Sequence, residues 1–131
     1  MPGGNNIIYD TSALLEFFQG SASGFEVKKS FEDEETENNI PAVVLCELIS
    51  KLKRAKVDFY DFVSALEKNA VILALDKEIA KEAGTLHAEL KEKEPQISMI
   101  DCVIMAHANM LEATIISKDR HFKLYKNAKI I

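Results

Sequence analysis

The chain alternates short, continuous apolar runs with longer stretches whose apolar residues recur at helical intervals. Ile7-Ile8-Tyr9 is a short apolar run closed by Asp10-Thr11-Ser12, and residues 13–18 then have helical character until Gly20 and Gly24 punctuate them. This predicts strand, turn and helix. A second helix is expected from Phe25 to about Glu35, with Phe25, Val27 and Phe31 as sparse apolar contacts and an acidic, solvated end at residues 32–37. Asn39-Ile40-Pro41 predicts the end of a strand. Residues 42–55 predict a helix on which Leu45, Leu48, Ile49, Leu52 and Ala55 repeat with helical spacing. Another helix over 57–68, opened by Asp58, carries Phe59, Phe62, Val63 and Leu66.

The run over 70–75 is continuous and partly β-branched, the pattern of a strand covered on both faces. Asp76 caps a long helix through about Lys91. Ser98 opens a helix from Met99 to about Leu111 that is apolar almost all round and is therefore expected to be buried. Residues 113–117 read as the next strand, and a last short strand is expected near 128–131. Strands alternate with helices without repeats or linkers, and no strand shows the polar-apolar alternation of a sheet with one wet face. The expected fold is α/β, with a parallel sheet covered on both sides.

A length of 131 residues fits one domain spanning 1–131, and 47% hydrophobic with 28% charged residues excludes disorder. No run approaches the roughly 20 apolar residues that cross a bilayer, and the start, Met1-Pro2-Gly3-Gly4, lacks the basic and apolar regions of a leader. A cytoplasmic protein without membrane contact is expected. Cys46 and Cys102 lie within helical apolar stretches and read as reduced core thiols. Sixteen Lys and Arg against 21 Asp and Glu give a net charge of −5, so any affinity for phosphate polymers must come from a local feature.

Four acids supply such a feature. Asp10 and Asp119 each follow a buried strand, while Glu47 and Asp101 lie in the first two turns of apolar helices. In a parallel α/β sheet the carboxyl ends of strands and the amino ends of the following helices share the edge where ligands bind, so the four carboxylates are expected at one crevice. Each has an ordinary reading as well. Asp10 and Asp119 suit helix N-caps, Ser98-x-x-Asp101 is a capping box, and Glu47 is placed to pair with Lys51. Taken together, though, Glu47 beside Val43, Val44 and Cys46, and Asp101 beside Ile100, Val103 and Ile104, are carboxylates in apolar surroundings that need a cation. Clustered carboxylates offer only oxygen ligands, which suit Mg²⁺ or Mn²⁺ rather than Zn²⁺.

Discounting those four charges leaves the rest of the chain within one unit of neutrality, so a metal-filled cleft would be open to phosphate. The matching chemistry is metal-assisted phosphodiester hydrolysis, in which one ion acidifies a water and a second steadies the leaving oxygen. Lys51, Lys53, Arg54 and Lys56 continue the Glu47 helix, and Lys118, Arg120, Lys123 and Lys126 surround or follow Asp119. These basic segments are placed to hold a nucleic-acid backbone, or are ordinary solvated side chains.

In order and spacing, Ile7–Ser12, Ile40–Leu48, Asp101–Ala106 and Ile115–Phe122 together resemble the motifs of the PIN domain family, in particular its VapC-type toxin ribonucleases, over nearly the whole chain. The resemblance implies a three-layer α/β/α sandwich with a parallel sheet of four or five strands. It also implies a Mg²⁺- or Mn²⁺-dependent endoribonuclease that leaves a 5′-phosphate and a 3′-hydroxyl. It makes Asp10, Asp101 and Asp119 direct metal ligands and places Glu47 on a second ion or a water. Thr11 or Ser12 would orient Asp10 or touch substrate phosphate. Ser117, where the family more often has threonine, would hydrogen-bond within the acid cluster. Homodimerisation and a small antitoxin partner are implied too, with an exposed apolar helix near Phe59 and Phe62 offered for either contact.

The histidines read as structural: His121 because Phe122 suggests a turn packed on the core, His107 as a satisfied core or interface residue rather than a metal ligand, and His87 on a polar face. The competing reading is a flavodoxin-like receiver or other binding module. A receiver needs an acidic pair after the first strand, an acceptor Asp after the middle one and a lysine after the last, and Asp10 stands without an acidic neighbour. Ser12 likewise removes the second acid of an Asp-x-Asp phosphatase.

Overall fold

The computed structural model describes residues 5–131; the expectation drawn from the start of the chain, residues 1–4, lies outside the described residues. Along the chain run β1 (Asn6–Tyr9), α1 (Thr11–Gln19), α2 (Ala22–Glu32), β2 (Glu37–Pro41), α3 (Ala42–Arg54), α4 (Tyr60–Asn69), β3 (Val71–Leu73), α5 (Lys77–Leu90), α6 (Met99–Leu111), β4 (Thr114–Ser117), a 3₁₀ turn (Arg120–Leu124) and β5 (Ala128–Ile130). The five strands form one parallel sheet in the order β3-β2-β1-β4-β5. Consecutive residues of the three inner strands, Ile8 and Tyr9, Asn39 and Ile40, Ile115 and Ile116, are all buried. Successive side chains point to opposite faces, so both faces are covered by helices, as in an α/β/α sandwich. α1 packs on α2 and α3, and α5 pairs with α6, which lies against β1 and β4.

Strand order carries functional meaning. From β1 the chain steps outward through β2 to β3, then returns across the sheet to β4 and β5, so the direction of winding reverses between β1 and β4. Open parallel sheets bind ligands outside the carboxyl ends of the strands at such a switch point. Asp10 leaves β1 there, and its backbone N–H donates to Ile116 O of β4 at 3.3 Å. The order also departs from the flavodoxin-like 2-1-3-4-5. Asp76, which follows edge strand β3, spends its carboxylate on the Ile79 N–H at 2.9 Å as the cap of α5. The receiver reading is overturned on topology.

Several local expectations are corrected. The run over 70–75 yields only three strand residues at the sheet edge, with Val71 58% and Leu75 48% exposed rather than covered on both faces. Short edge strands of this kind limit pairing with other chains. The second helix begins at Ala22 and stops at Glu32. Gly20, at φ 68°, closes α1 in the left-handed conformation glycine favours, but Gly24 lies inside α2. It is small there because α1 and α2 nearly touch: a Cβ at residue 24 would sit 1.9 Å from Glu16 O. Phe62 is not on an exposed helix face, since its ring packs edge-on against Phe17 and Phe18 at 5.3 and 5.1 Å. Phe59 is half-buried and stacks on Tyr60, which is the exposed aromatic there. Both cysteines are free, but only Cys102 is buried; Cys46 is exposed. His107 is buried with its Nε2 lacking any partner, so it is not a satisfied core residue.

Candidate active site

Each acid owes its position to local structure. Asp10 is the N-cap of α1, its carboxylate accepting the Ala13 N–H at 3.1 Å. Asp101 and Ser98 form the capping box of α6: Ser98 Oγ accepts the Asp101 N–H at 3.0 Å and Asp101 Oδ2 accepts the Ser98 N–H at 3.1 Å. Asp119 caps the 3₁₀ turn, with Oδ1 accepting the His121 N–H at 2.9 Å. Glu47 does not pair with Lys51. It accepts a hydrogen bond from Thr11 Oγ1, on the first residue of α1, which ties α3 to the start of α1. Capping and crevice-lining coincide because parallel α/β topology brings the amino ends of the helices to the ligand-binding edge.

All four acids line one crevice of about 260 Å³. Thr11, Ser12 and Lys51 line it with them. Two of the larger hollows, about 470 and 520 Å³, lie against α5 and beside the acidic end of α2. Neither gathers Asp10, Glu47, Asp101 or Asp119, so volume is a poor guide to the chemistry here. Asp10 and Asp101 are only 6% and 9% exposed. Among the described residues no Lys or Arg nitrogen lies within 4.0 Å of any of the four carboxylates.

Two serines tie Asp10 to the loop after β4. Ser12 Oγ donates to Asp10 Oδ1 at 2.7 Å and accepts the Lys118 N–H at 3.0 Å. Ser117 Oγ, fully buried, donates to Asp10 Oδ2 at 2.7 Å and accepts the Asp119 N–H at 2.8 Å. Oδ1 therefore takes two donors, from Ser12 and Ala13, while Oδ2 takes one and keeps a lone pair. Burial holds the Asp10 carboxyl above its ordinary pKa; the hydrogen bonds from Ser117, Ser12 and Ala13 oppose that shift, and the charge of Asp119 adds to it.

The basic residues are placed less uniformly. Arg120 is exposed and lies outside the crevice lining, and Lys118 turns to Glu16 at 3.4 Å. His121, by contrast, is in the crevice although Phe122 is fully buried in the core, as its sequence neighbourhood suggested. Its Nδ1 is 3.2 Å from Asp119 Oδ1 and 3.5 Å from Asp101 Oδ2, and its Nε2 is 3.8 Å from Glu94 Oε1. One sequence signal could have placed it. A capping Asp binds the backbone N–H two residues on, which sets residue 121 beside the Asp119 carboxylate.

This donor set fits a hard divalent cation: carboxylate oxygens in excess, two of the acids buried, and, among the described residues, no guanidinium or ammonium within 4.0 Å of them. Ligand atoms of Asp101, Asp119 and His121 lie within 4.8 Å of one another; Asp10 and Glu47 line the same crevice outside that tightest group.

A search of curated proteins finds no match to the chain. Solved structures do share the fold. A toxin-antitoxin complex from Klebsiella pneumoniae is 21% identical, with a TM-score of 0.76 over 94% of this chain and 95% of that one. VapBC2 from Rickettsia felis bound to a promoter DNA fragment is 18% identical, with a TM-score of 0.74 over 96% and 97%. VapC20 from Mycobacterium tuberculosis, a Sarcin-Ricin loop cleaving toxin, is 16% identical, with a TM-score of 0.72 over 92% and 95%. The sequence profile of the PIN domain matches residues 7–128, from the first strand to the last, and the chain belongs to the PIN domain family.

Proposed function

We propose that this chain is a divalent-metal-dependent endoribonuclease, a single catalytic domain over residues 1–131 acting in the cytoplasm as the toxin of a toxin-antitoxin pair. The observation that carries this reading is the meeting of Asp10, Glu47, Asp101 and Asp119, from four separate segments, at the switch-point crevice without a Lys or Arg partner within 4.0 Å among the described residues. Membership of the PIN family and the likeness to toxin-antitoxin, VapBC and Sarcin-Ricin loop cleaving VapC structures support the RNA substrate and an antitoxin partner, and a homodimer is proposed from the sequence resemblance alone.

In this reading Asp10, Asp101 and Asp119 hold Mg²⁺ or Mn²⁺, with Glu47 on a second ion or a water. When bound, the cation supplies charge neutralisation at the scissile phosphate and an acidified water. Ser117 and Ser12 fix the Asp10 rotamer, leaving Oδ2 as its ligand atom. Thr11 holds Glu47 across from it. Lys51, at the crevice wall, receives a flanking phosphate, and exposed Arg120 meets the backbone farther out.

The test is cleavage of single-stranded RNA by the purified chain in Mn²⁺, in Mg²⁺ and in EDTA. Cleavage is expected with either metal and not in EDTA. Asp101→Asn should slow it by more than the roughly 10–100-fold typical of removing an outer-shell partner. Equal rates for the variant and the wild type would overturn the assignment.

A further inference from the structure

The imidazole of His121 is unexplained by the carboxylate site alone. Its Nδ1 is buried and stands 3.2 Å from one carboxylate oxygen and 3.5 Å from another, yet makes no aligned hydrogen bond to either. A protonated histidine serving as counter-ion would aim its Nδ1–H at one of those oxygens. A nitrogen close to two carboxylates but aligned with neither is instead arranged as one donor of three around a shared centre. Adjacent donors of an octahedral ion with bonds of about 2.1 Å lie about 3 Å apart, close to the two distances from Nδ1, and all three ligand atoms lie within 4.8 Å of one another.

Glu94 supplies an independent observation. It comes from the segment between α5 and α6, and its Oε1 faces the other ring nitrogen, Nε2, at 3.8 Å. Metal-binding histidines commonly present their second N–H to a carboxylate, which fixes the tautomer and strengthens the ligand nitrogen. At 3.8 Å the contact is longer than a hydrogen bond; with the carboxylate drawn onto Nε2 by a small side-chain adjustment, Glu94 would keep the proton there and leave the Nδ1 lone pair free. The backbone holds the ring in place as well, through the His121 N–H on Asp119 and the buried Phe122 that follows.

We propose that His121 is a nitrogen ligand of the metal centre, through Nδ1, beside Asp101 and Asp119, and that Glu94 is its positioning residue. The proposal rests on the metal-nuclease reading and deepens it. A mixed oxygen and nitrogen set shifts preference from Mg²⁺ toward Mn²⁺ and other transition ions, because imidazole is a softer donor than carboxylate.

The experiment is pulsed electron paramagnetic resonance on Mn²⁺ added to the full chain, with binding followed in parallel by calorimetry for Mn²⁺ and Mg²⁺. The wild type should show the ¹⁴N modulation of a coordinated imidazole. His121→Asn should lose that modulation while still binding the ion. Its Mn²⁺ affinity should fall about tenfold or more, and its Mg²⁺ affinity by less. Glu94→Gln should retain the modulation with weaker Mn²⁺ binding. Bound Mn²⁺ without nitrogen modulation in the wild type overturns the ligand assignment and leaves the carboxylate site standing; that result is also the one expected if His121 is a protonated counter-ion. Failure of the wild type to bind Mn²⁺ at all overturns both the inference and the metal-nuclease reading beneath it.

Discussion

Replacing Asp10 by Asn should stabilise the metal-free protein while weakening its hold on metal. The carboxylate is 6% exposed, has no cationic neighbour among the described residues, and shares its crevice with three other acids. Three donors compensate it, and hydrogen bonds to a charged acceptor contribute about 1.5–3 kcal/mol each against about 0.5–1.5 for a neutral one. Losing that difference three times is offset by relief of a burial penalty of several kcal/mol per ion. The raised pKa of Asp10 shows which side is larger: burial and Asp119 outweigh the donors. Asn caps a helix as well as Asp does, and its amide can donate to Ser117 Oγ. The net expectation is a gain of about 1 kcal/mol at pH 7, the size of a typical single stabilising substitution. For a chain of this length that raises Tm by about 4 °C.

The assay is thermal unfolding in EDTA and again in Mn²⁺. Ligand at a hundred times its Kd stabilises by about 2.7 kcal/mol, so the wild type should overtake the variant once metal is added. The sign with pH follows from the raised pKa. Between the unfolded and folded pKa values the native Asp10 holds a proton that the unfolded chain has released, so wild-type stability falls as pH rises through that window. The advantage of Asp10→Asn should therefore be present at neutral pH and vanish as pH drops below the raised value. A variant less stable than wild type in EDTA, with an undiminished response to Mn²⁺, would refute the reasoning.

Three further outcomes are expected. Ser117→Ala removes the donor to Asp10 and strips the Asp119 N–H of its acceptor, which should cost about 1–3 kcal/mol in urea unfolding and slow RNA cleavage; unchanged values for both would count against the serine relay. Gly24→Ala drives a methyl into Glu16 O and should destabilise by at least about 1–3 kcal/mol through separation of α1 from α2, read from the urea midpoint. His107 is buried with its pKa lowered by burial, a shift that the charge of Asp76 opposes, so the unfolded chain binds its proton more readily. Stability from this residue is complete above its unfolded pKa of about 6.5 and is lost as pH falls below it; His107→Gln should flatten the fall in urea midpoint between about pH 7 and pH 5.

The sequence by itself determined the element order and the ligand-binding edge. Continuous apolar runs at Ile7-Ile8-Tyr9 and Ile115-Ile116 mark strands buried on both faces, and the Asp that follows each run marks an exit at the carboxyl edge. Ser98-x-x-Asp101 is likewise a local signature, and the capping box it predicts is present. Periodicity and capping are properties of neighbouring residues, so they can be read in one dimension.

Other features depend on what the chain meets after folding. Residues 70–75 are as apolar as an inner strand, but only strand order sends β3 to the edge. Gly24 looks like a helix breaker until α1 lies across it. Cys46 sits in an apolar helix and is exposed because Val44, Leu48 and Leu52 set the buried stripe of α3. The crevice is decided in the same way. Thr11 on Glu47, Ser117 on Asp10, and His121 between Asp101, Asp119 and Glu94 are contacts across 20 to 107 positions, apart from the local turn at Asp119. A parallel sheet makes such distant groups neighbours because every strand enters from the same side, and the reversal of winding between β1 and β4 opens the gap in which they face one another.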